Sequence, residues 1–327
     1  MPPPGTVGRA ALLAPLSGPQ NGIGQIVTAA ASLGGPTAPG SEVAVVDAGT
    51  TVESAVAAAR AEVAAGARML LGPLFSAQCV AVAEAVGRGT PVVGLTNDDS
   101  IAGGNLFVFG LTPAQSAGAI LTFAASRGMR SVVTVVPPGE FGSRHIAAAQ
   151  AAAAGAGMAM GPPVVTADPS GIVNRVREAA GGALPAAVYL PVVSAPFEGF
   201  AGALGDSDVQ ILGSEQWSTI QPQRVGGLQG AWFAAPDPIS FEGFAIALEE
   251  QAGAEAGIVA GLAFDAVEMA RLLGRLGQQD RDGLLREGGF DGILGPYRFL
   301  PSGRCARGLG VLSVEAGATT LIGEAGA

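Results

Sequence analysis

The chain has 327 residues, of which 17 are basic and 27 acidic, so its formal net charge is -10 at pH 7. This length predicts two lobes rather than one core, and the acidic balance disfavours nucleic acid and anionic membrane surfaces as partners. Its longest apolar windows are alanine-rich and interrupted by Gly, Arg or Glu, so no transmembrane segment is predicted.

The first third of the chain alternates short apolar runs with alanine-rich helical segments. Residues 9–14 predict a buried strand that Gly18 and Pro19 end, and Asn21 is a candidate cap for the next helix. Thr50 and Glu53 have the spacing of a capping box, before a helix that runs to residue 65. Further strands are predicted at 43–46, 69–71, 91–95 and 106–109, and a further helix ends at residue 86.

The alternation restarts after residue 112. Helices are predicted at about 113–126, 142–154 and 258–276, and strands at 131–136, 163–166, 186–190, 210–212, 231–234, 293–299 and 309–314. Repeated strand–helix units predict parallel sheets covered on both faces. Two such series predict an α/β fold with two doubly wound lobes, and a ligand would sit between them, outside the carboxyl ends of the strands.

A polar, glycine-rich loop connects the first strand to the first helix, Ser17-Gly-Pro-Gln-Asn-Gly22. Open α/β sheets bind their ligands at loops of this kind, where a strand delivers the chain to a helix N-terminus. The loop is therefore predicted to form one wall of the ligand site, with Ser17 and Gln20 as its candidate binding residues.

Neither a metal site nor a catalytic site is predicted. One histidine and two separated cysteines cannot close a zinc site. Cys79 and Cys305 are expected to be buried or half-buried thiols, with a disulfide as the alternative. His145 is predicted on a helix surface, and Ser143 lies two residues away, where helical side chains do not face each other. Without a nucleophile elbow, a P-loop or a complete dinucleotide fingerprint, we expect no enzyme and no cofactor.

Seven short segments carry, in their order and spacing, a resemblance to a known family. They are Leu16–Pro19, Val45–Thr50, Leu71–Ser76, Phe107–Pro113, Pro138–Gly142, Leu212–Glu215 and Phe264–Ala266. From about Val7 onward, the chain resembles the type I periplasmic solute-binding proteins of the leucine/branched-chain amino-acid-binding group. The resemblance implies two Rossmann-like lobes joined by a hinge with three crossovers. Lobe 1 would hold residues 6–112 and 235–290, and lobe 2 residues 113–234 and 291–327.

Four segments resemble, more narrowly, the penicillin-binding protein activators. They are Leu12–Gly18, Gly72–Ser76, Thr96–Asp98 and Ala235–Pro238. Proteins of that subfamily share the two-lobed fold, are often lipoproteins and act on cell-wall synthases. The resemblance implies a periplasmic protein whose signal peptide has been removed, and the Pro-rich residues 1–5 suit a linker behind a lipidated cysteine.

The resemblance also implies ligand-binding residues. In amino-acid binders of this family, a hydroxyl and backbone N–H groups after strands three and four hold the ligand carboxylate. Ser76 matches that hydroxyl, and Thr96 and Asn97 lie in the loop after strand four. Glu215 matches the acid that holds the ligand ammonium. Ser76 as a helix cap and Glu215 as a solvated loop acid are the alternatives, and Trp217 either roofs a pocket or is packed.

Two candidate residues depart from the family's pattern. Asp98 stands near a position where relatives often use a threonine, and an acid there would repel an anion. Phe141 stands where many relatives place a tyrosine, so a hydrogen-bonding hydroxyl is lost. With Asp99, Glu140 and Glu215, Asp98 predicts a negative lining that suits a cationic ligand, a different pose or no small ligand at all. The alternative is that Asp98 and Asp99 cap the next turn.

Two functions follow from the resemblance. The first is a solute-binding protein that captures an amino acid or similar small polar ligand by hinge closure and presents it to an ABC permease. The second is a lipoprotein-type regulator that docks on a penicillin-binding protein. A receptor or sensor is the remaining alternative.

Overall fold

A computed structural model describes residues 9–33, 41–253 and 256–326 of the chain. The predicted linker at residues 1–5 lies outside the described residues. Within these ranges, no helix has both the length and the apolar character that crossing a bilayer requires, and no three His, Cys, Asp or Glu side chains are grouped to hold a metal ion. Strands and helices alternate, so the predicted α/β class is confirmed.

The strands, in chain order, are β1 (Arg9–Ala14), β2 (Val43–Asp47), β3 (Ala67–Leu71), β4 (Val92–Gly94), β5 (Leu106–Val108), β6 (Ser131–Val136), β7 (Ala159–Met160), β8 (Val164–Val165), β9 (Ala187–Tyr189), β10 (Gln210–Gly213), β11 (Trp232–Ala235), β12 (Tyr297–Phe299), β13 (Cys305–Glu315) and β14 (Ala318–Gly326). The α-helices are α1 (Asn21–Ser32), α2 (Val52–Ala64), α3 (Ser76–Val86), α4 (Pro113–Ser126), α5 (Glu140–Gly155), α6 (Ile172–Ala179), α7 (Phe197–Gly205), α8 (Pro238–Ala252), α9 (Ile258–Arg275) and α10 (Arg281–Leu284). Short 3-10 turns lie at Asp99–Ile101, Glu215–Thr219 and Pro222–Arg224.

The chain divides into two compact units, and it passes from one to the other three times, as the resemblance implied. Unit 1 consists of the residues up to Leu111 and Ile239–Arg307, and unit 2 of Thr112–Pro238 and the residues from Gly308 onward. Three boundaries differ from the sequence-based expectation. Thr112 belongs to unit 2. Residues 291–307 belong to unit 1, because Tyr297 and Phe299 are buried in its core, and residues 235–238 belong to unit 2.

The sheet of unit 1 is fully parallel, in the order β2-β1-β3-β4-β5. Leu12 and Leu13, neighbours on β1, are both fully buried, as a strand with helices on both faces requires. Leu12 packs in a core cluster with α1 and α9, whereas Leu13 packs in a second cluster with α2 and α3. Because all five strands run in one direction, the loops that follow them emerge at the same edge of the sheet.

Two helix starts differ by one residue from the predicted ones. Thr51, not Thr50, caps α2, because its side chain accepts from the Ser54 amide and the Ser54 hydroxyl accepts from the Thr51 amide. Asn21 is the first residue of α1, Gln20 occupies the cap position, and no side chain caps that helix. Adjacent residues of capping type leave the start of a helix uncertain by one position.

The sheet of unit 2 is mixed. Its parallel strands follow the order β7-β6-β9-β10-β11, with β8 also paired to β6, and β13 and β14 add antiparallel strands beyond β11. Two elements were not predicted from the sequence: β14 in this sheet, and α8 in unit 1. The residues of β14 are half-buried or exposed, and α8 buries only Phe244 and Leu248, so neither segment has a strong apolar period.

Both cysteines are buried, and no disulfide joins them. Burial raises the pKa of the Cys79 thiol to about 12 and that of the Cys305 thiol to about 11. The prediction of two separate thiols is confirmed, and both are protonated at neutral pH.

A buried ion pair joins α9 to β13 in unit 1. Arg307 Nη1 lies 3.5 Å from Asp265 Oδ2, and both side chains are almost completely buried. The guanidinium also lies over the rings of Phe109 and Tyr297, at 4.7 and 4.8 Å from their centroids. Asp265 accepts two backbone hydrogen bonds from Ile293 and Leu294. Burial raises the pKa of Asp265 to about 6, and Arg307 opposes that shift.

We predict that Arg307→Met destabilises unit 1 by about 3–5 kcal/mol at neutral pH, because it leaves the Asp265 carboxylate buried without its cation. Urea unfolding measures the loss. Adding Asp265→Asn to Arg307→Met should recover part of it. Arg304→Met, which breaks a more exposed pair with Asp99 in the same unit, should cost about 1 kcal/mol or less. Equal costs for the two arginine variants would contradict the prediction.

Candidate functional site

Two hydroxyl groups meet at the carboxyl ends of β3 and β4 in unit 1. Ser76 Oγ and Thr96 Oγ1 share a hydrogen bond of 2.8 Å. Ser76 is the first residue of α3, Phe75 occupies the cap position, and no side chain caps the helix. The alternative that Ser76 is the cap is therefore wrong. Paired hydroxyls beside the first turn of a helix are a favourable environment for an anion, because the free N–H groups of that turn also point out of the helix N-terminus and can donate to the anion.

The backbone around Thr96 is fixed by the close approach of β5. The Gly110 amide donates to Thr96 O at 3.0 Å, and a Cβ on Gly110 would lie 2.1 Å from that oxygen. Thr96 is itself buried, and its hydroxyl also accepts from the Asp98 amide at 3.3 Å. Only glycine allows this approach, so residue 110 helps to position the hydroxyl pair.

The acids after β4 are engaged within unit 1. Asp98 caps the turn Asp99–Ile101, because its Oδ1 accepts from the Ser100 amide at 3.2 Å and from the Ser100 hydroxyl at 2.6 Å. Asp99 lies 3.7 Å from Arg304. The capping alternative is thus confirmed for Asp98, and Asp99 has a cation beside it. Asn97, between Thr96 and these acids, is half-buried.

The loop after β1 is organised by Asp47 at the end of β2. Asp47 Oδ1 accepts from the amides of Leu16, Ser17 and Gly49, at 3.0, 3.2 and 2.8 Å. The Ser17 hydroxyl is the largest influence that lowers the pKa of Asp47. Ser17 therefore holds the loop, and it is exposed. Gln20 is half-buried, and its Oε1 is a buried oxygen without a hydrogen-bond partner in the described part of the chain.

Glu215 in unit 2 follows β10 and is the first residue of a 3-10 turn that Ser214 caps. Only 4% of Glu215 is exposed, so the alternative of a solvated loop acid is wrong. The Ser116 hydroxyl, on α4, donates to Glu215 Oε2. Burial raises the pKa of Glu215 to about 7, and hydrogen bonds from the Ser116 hydroxyl and the Glu215 amide oppose the shift. At neutral pH the carboxyl is therefore partly protonated.

His145 lies in the interior of unit 2, so its predicted place on the helix surface is wrong. It shares a buried stripe of α5 with Gly142, Ala149 and Ala153. That spacing follows the helical repeat and could have revealed its burial. Burial and Arg144 lower its pKa to about 4, so the ring is neutral at pH 7.

An aromatic and hydroxyl cluster surrounds this histidine. Tyr189 Oη lies 3.4 Å from His145 Nδ1, and the edge of one ring in the Phe141–His145 pair meets the face of the other at 4.8 Å. His145 Nε2 and Thr134 Oγ1 are buried without hydrogen-bond partners among the described residues. Ser116, Thr134 and Tyr189 were not among the residues predicted from the sequence. Each has a hydroxyl on an otherwise apolar element, and this pattern could have identified them, because a buried hydroxyl needs a polar partner.

Trp217 is packed in the core of unit 2. Its side chain is 0% exposed, its Nε1 donates to Leu190 O at 3.0 Å, and its ring contacts Phe197 and Phe233 at 5.7 and 5.6 Å. A Cβ on Gly213 would lie 2.3 Å from the indole. Of the two alternatives for Trp217, the structure has the packed one.

Most of the chain matches one family of proteins. A family model described as periplasmic binding protein matches residues 9–319. The chain belongs to the periplasmic binding protein family. The predicted membership of this family is confirmed, and the type I fold is shared by solved structures described as branched-chain amino acid transporter and leucine binding proteins. No curated protein matches the chain in sequence.

Three solved structures share the fold of this periplasmic binding protein. A protein from Rhodospirillum rubrum, assigned as a branched-chain amino acid ABC transporter, has a TM-score of 0.79 and 22% identity over 96% of this chain and 99% of its own. A solute binding protein of an ABC transporter from R. palustris, in complex with benzoate, has a TM-score of 0.65 and 13% identity over 98% and 97%. The C-domain of LpoA from Haemophilus influenzae, a regulator of PBP1A, has a TM-score of 0.72 and 19% identity over 97% and 100%.

We predict that Glu215→Gln stabilises the protein increasingly as pH rises. The folded-state pKa of about 7 lies above the ordinary 4.5, so the stability that the neutral acid confers is present at low pH and is lost as pH rises through that window. Glutamine stays neutral, and its advantage should grow from near zero at about pH 4.5 to about 3 kcal/mol above pH 7.

Urea unfolding of both proteins across this pH range measures the difference. Glu198→Gln, at an exposed position of α7, is the matched control and should show no such growth. A constant difference between wild type and Glu215→Gln at all pH values would contradict the expected buried, neutral acid.

Proposed function

We propose that the protein is a periplasmic solute-binding protein that captures an amino acid or related small polar ligand for an ABC importer. The observation that carries this proposal is the hydroxyl pair Ser76–Thr96, at 2.8 Å. It stands at the start of an eleven-residue helix that no side chain caps. A ligand carboxylate would accept hydrogen bonds from the hydroxyls and from first-turn amides, where the helix dipole favours negative charge.

Glu215 is the group that we propose for the ligand's ammonium. Its carboxyl is buried beside neutral hydroxyls of Ser116 and Ser214. A cation that formed a charge-assisted hydrogen bond there would offset the cost of burying the ionised form. With this function, the protein would be located in the periplasm, and its partner would be an ABC permease.

The panel of compounds to be tested as ligands follows from the chemical groups that the candidate site could bind. The R. palustris neighbour is a complex with benzoate, a carboxylate that lacks an ammonium. A carboxylate of either type could use the hydroxyl pair. Amino acids, polyamines and small carboxylic acids therefore all belong in the panel.

We predict that a ligand from this panel raises the thermal midpoint of the wild-type protein, because it binds the folded state alone. Ser76→Ala and, for an ammonium-bearing ligand, Glu215→Gln should each weaken binding about 10- to 100-fold. That loss is typical of a hydrogen bond to a charged group, about 1.5–3 kcal/mol. Thermal shift identifies the ligand, and isothermal titration calorimetry measures its dissociation constant.

The matched control is Ser32→Ala, which removes an exposed hydroxyl in unit 1 whose bond within the described residues is to the Ala29 carbonyl of its own helix. It should bind as wild type does. Glu215→Gln should be more stable at neutral pH yet bind more weakly, and a purely structural role for Glu215 does not produce that combination. Flat thermal responses to amino acids, polyamines and small carboxylates would overturn the proposal.

The second candidate function is regulation of a penicillin-binding protein. Its support is the structural likeness to the LpoA C-domain, which covers 97% of this chain, together with the sequence segments that resemble the activator subfamily. In that case a lipid anchor would precede the described fold. A pull-down with a purified penicillin-binding protein should then succeed equally with wild type, Ser76→Ala and Glu215→Gln. Failure of the wild type to bind would exclude that synthase as the partner.

A further inference from the structure

Among the residues that the structure describes, none forms an ion pair with Glu215. Its neighbouring elements include α4, β9, β10 and β11, and these four contain no charged residue. Its hydrogen-bond donors are the Ser116 hydroxyl and its own amide, whereas the adjacent Ser214 hydroxyl donates to Pro191 O at 2.6 Å. The ionisable group nearby is Tyr189 on β9. Beyond it lie His145 on α5, whose ring is neutral at pH 7, and Arg144, the cation that helps to lower the pKa of that ring.

This environment is suited to a neutral acid and not to an isolated carboxylate. An ionised carboxyl that is almost wholly removed from water is costly unless a cation and several hydrogen bonds compensate it. The Ser116 hydroxyl supplies one strong donor, which is less than an ionised carboxylate needs. Glu215 is only 4% exposed. Its ionised form would therefore need a positive charge close to the carboxylate, and this is what the site lacks.

We propose that Glu215 is a neutral carboxylic acid in the ligand-free protein at mildly acidic pH, and that it releases its proton when the ammonium group of a ligand binds. This inference rests on the proposed function. The O–H bond of the Glu215 acid breaks, its proton goes to the solvent, and the resulting carboxylate accepts a hydrogen bond from the R–NH3+ group, which keeps all its own protons. One proton leaves for each ligand captured, so capture of ammonium-bearing ligands is coupled to pH.

The coupling has a definite direction. The pKa of Glu215, raised to about 7 by burial, means that ligand binding must displace a proton below pH 7 and need not do so well above it. By linkage, affinity for an ammonium-bearing ligand should rise about 10-fold from pH 6 to pH 8. A ligand that has the carboxylate but no amino group gains nothing from the ionised acid and should show no such rise.

The first measurement needs no ligand. Protein labelled with 13C at the glutamate carboxyl carbon is titrated by NMR, and Glu215→Gln identifies the signal of interest by its disappearance. We expect that signal to titrate near pH 7, well above an ordinary glutamate at about 4.3. A Glu215 midpoint at or below pH 5 overturns the inference and leaves the proposed function standing.

The second measurement uses L-leucine and 4-methylpentanoate, its analogue without the amino group, as matched probes. Calorimetry in buffers of different ionisation enthalpy should show about 0.9 proton released per L-leucine at pH 6 and about 0.1 at pH 8. The analogue, and L-leucine with Glu215→Gln, should release none. L-leucine binding without proton release at pH 6 overturns the inference. Absence of binding by L-leucine and every other amino acid overturns the inference and the amino-acid form of the proposed function together.

Discussion

The parallel direction of the five strands in unit 1 is the constraint on which the candidate site depends. It brings the loops after β1 to β5 to one edge of the sheet, although they are far apart in sequence. Ser76 and Thr96 thereby meet across two neighbouring strands at 2.8 Å, Asp47 reaches back to the loop after β1, and Gly110 fits against Thr96. Each contact joins residues from different strand–helix repeats, so the site is a property of the sheet and not of any one motif.

Unit 2 places a different kind of chemistry in its interior. Glu215, Ser116, Tyr189 and His145 are polar groups enclosed by apolar packing, with hydrogen bonds between them and little charge. Unit 1 buries its main acid differently, since Asp265 has Arg307 beside it. Asp265 therefore belongs to the framework of unit 1, whereas Glu215 is the acid that we propose for a cation from outside the chain.

Sequence patterns predicted the elements well where apolar runs were short and bounded. Helix α4 and strand β6 have their predicted bounds, and Cys79 and Cys305 are buried thiols as expected. The pattern could not place β14, because an outer strand with half-buried residues lacks a strong alternation. The burial of His145 was missed, although its spacing from Gly142, Ala149 and Ala153 follows the helical repeat. The family resemblance identified Ser76, Thr96 and Glu215 as candidates. It could not give their burial or their hydrogen-bond partners, because tertiary packing joins residues that are far apart in sequence, such as Ser116 and Glu215, 99 positions apart.

One measurement tests the central claim, that the hydroxyl pair holds the carboxylate of a small ligand. Wild-type and Ser76→Ala proteins are incubated with a mixture of amino acids and small carboxylic acids, freed of unbound molecules by gel filtration and unfolded. The released molecules are then identified by mass spectrometry. The account predicts a carboxylate-bearing molecule in near-equimolar amount from the wild type and much less from Ser76→Ala. Equal release from both proteins, or no molecule from the wild type, would contradict it.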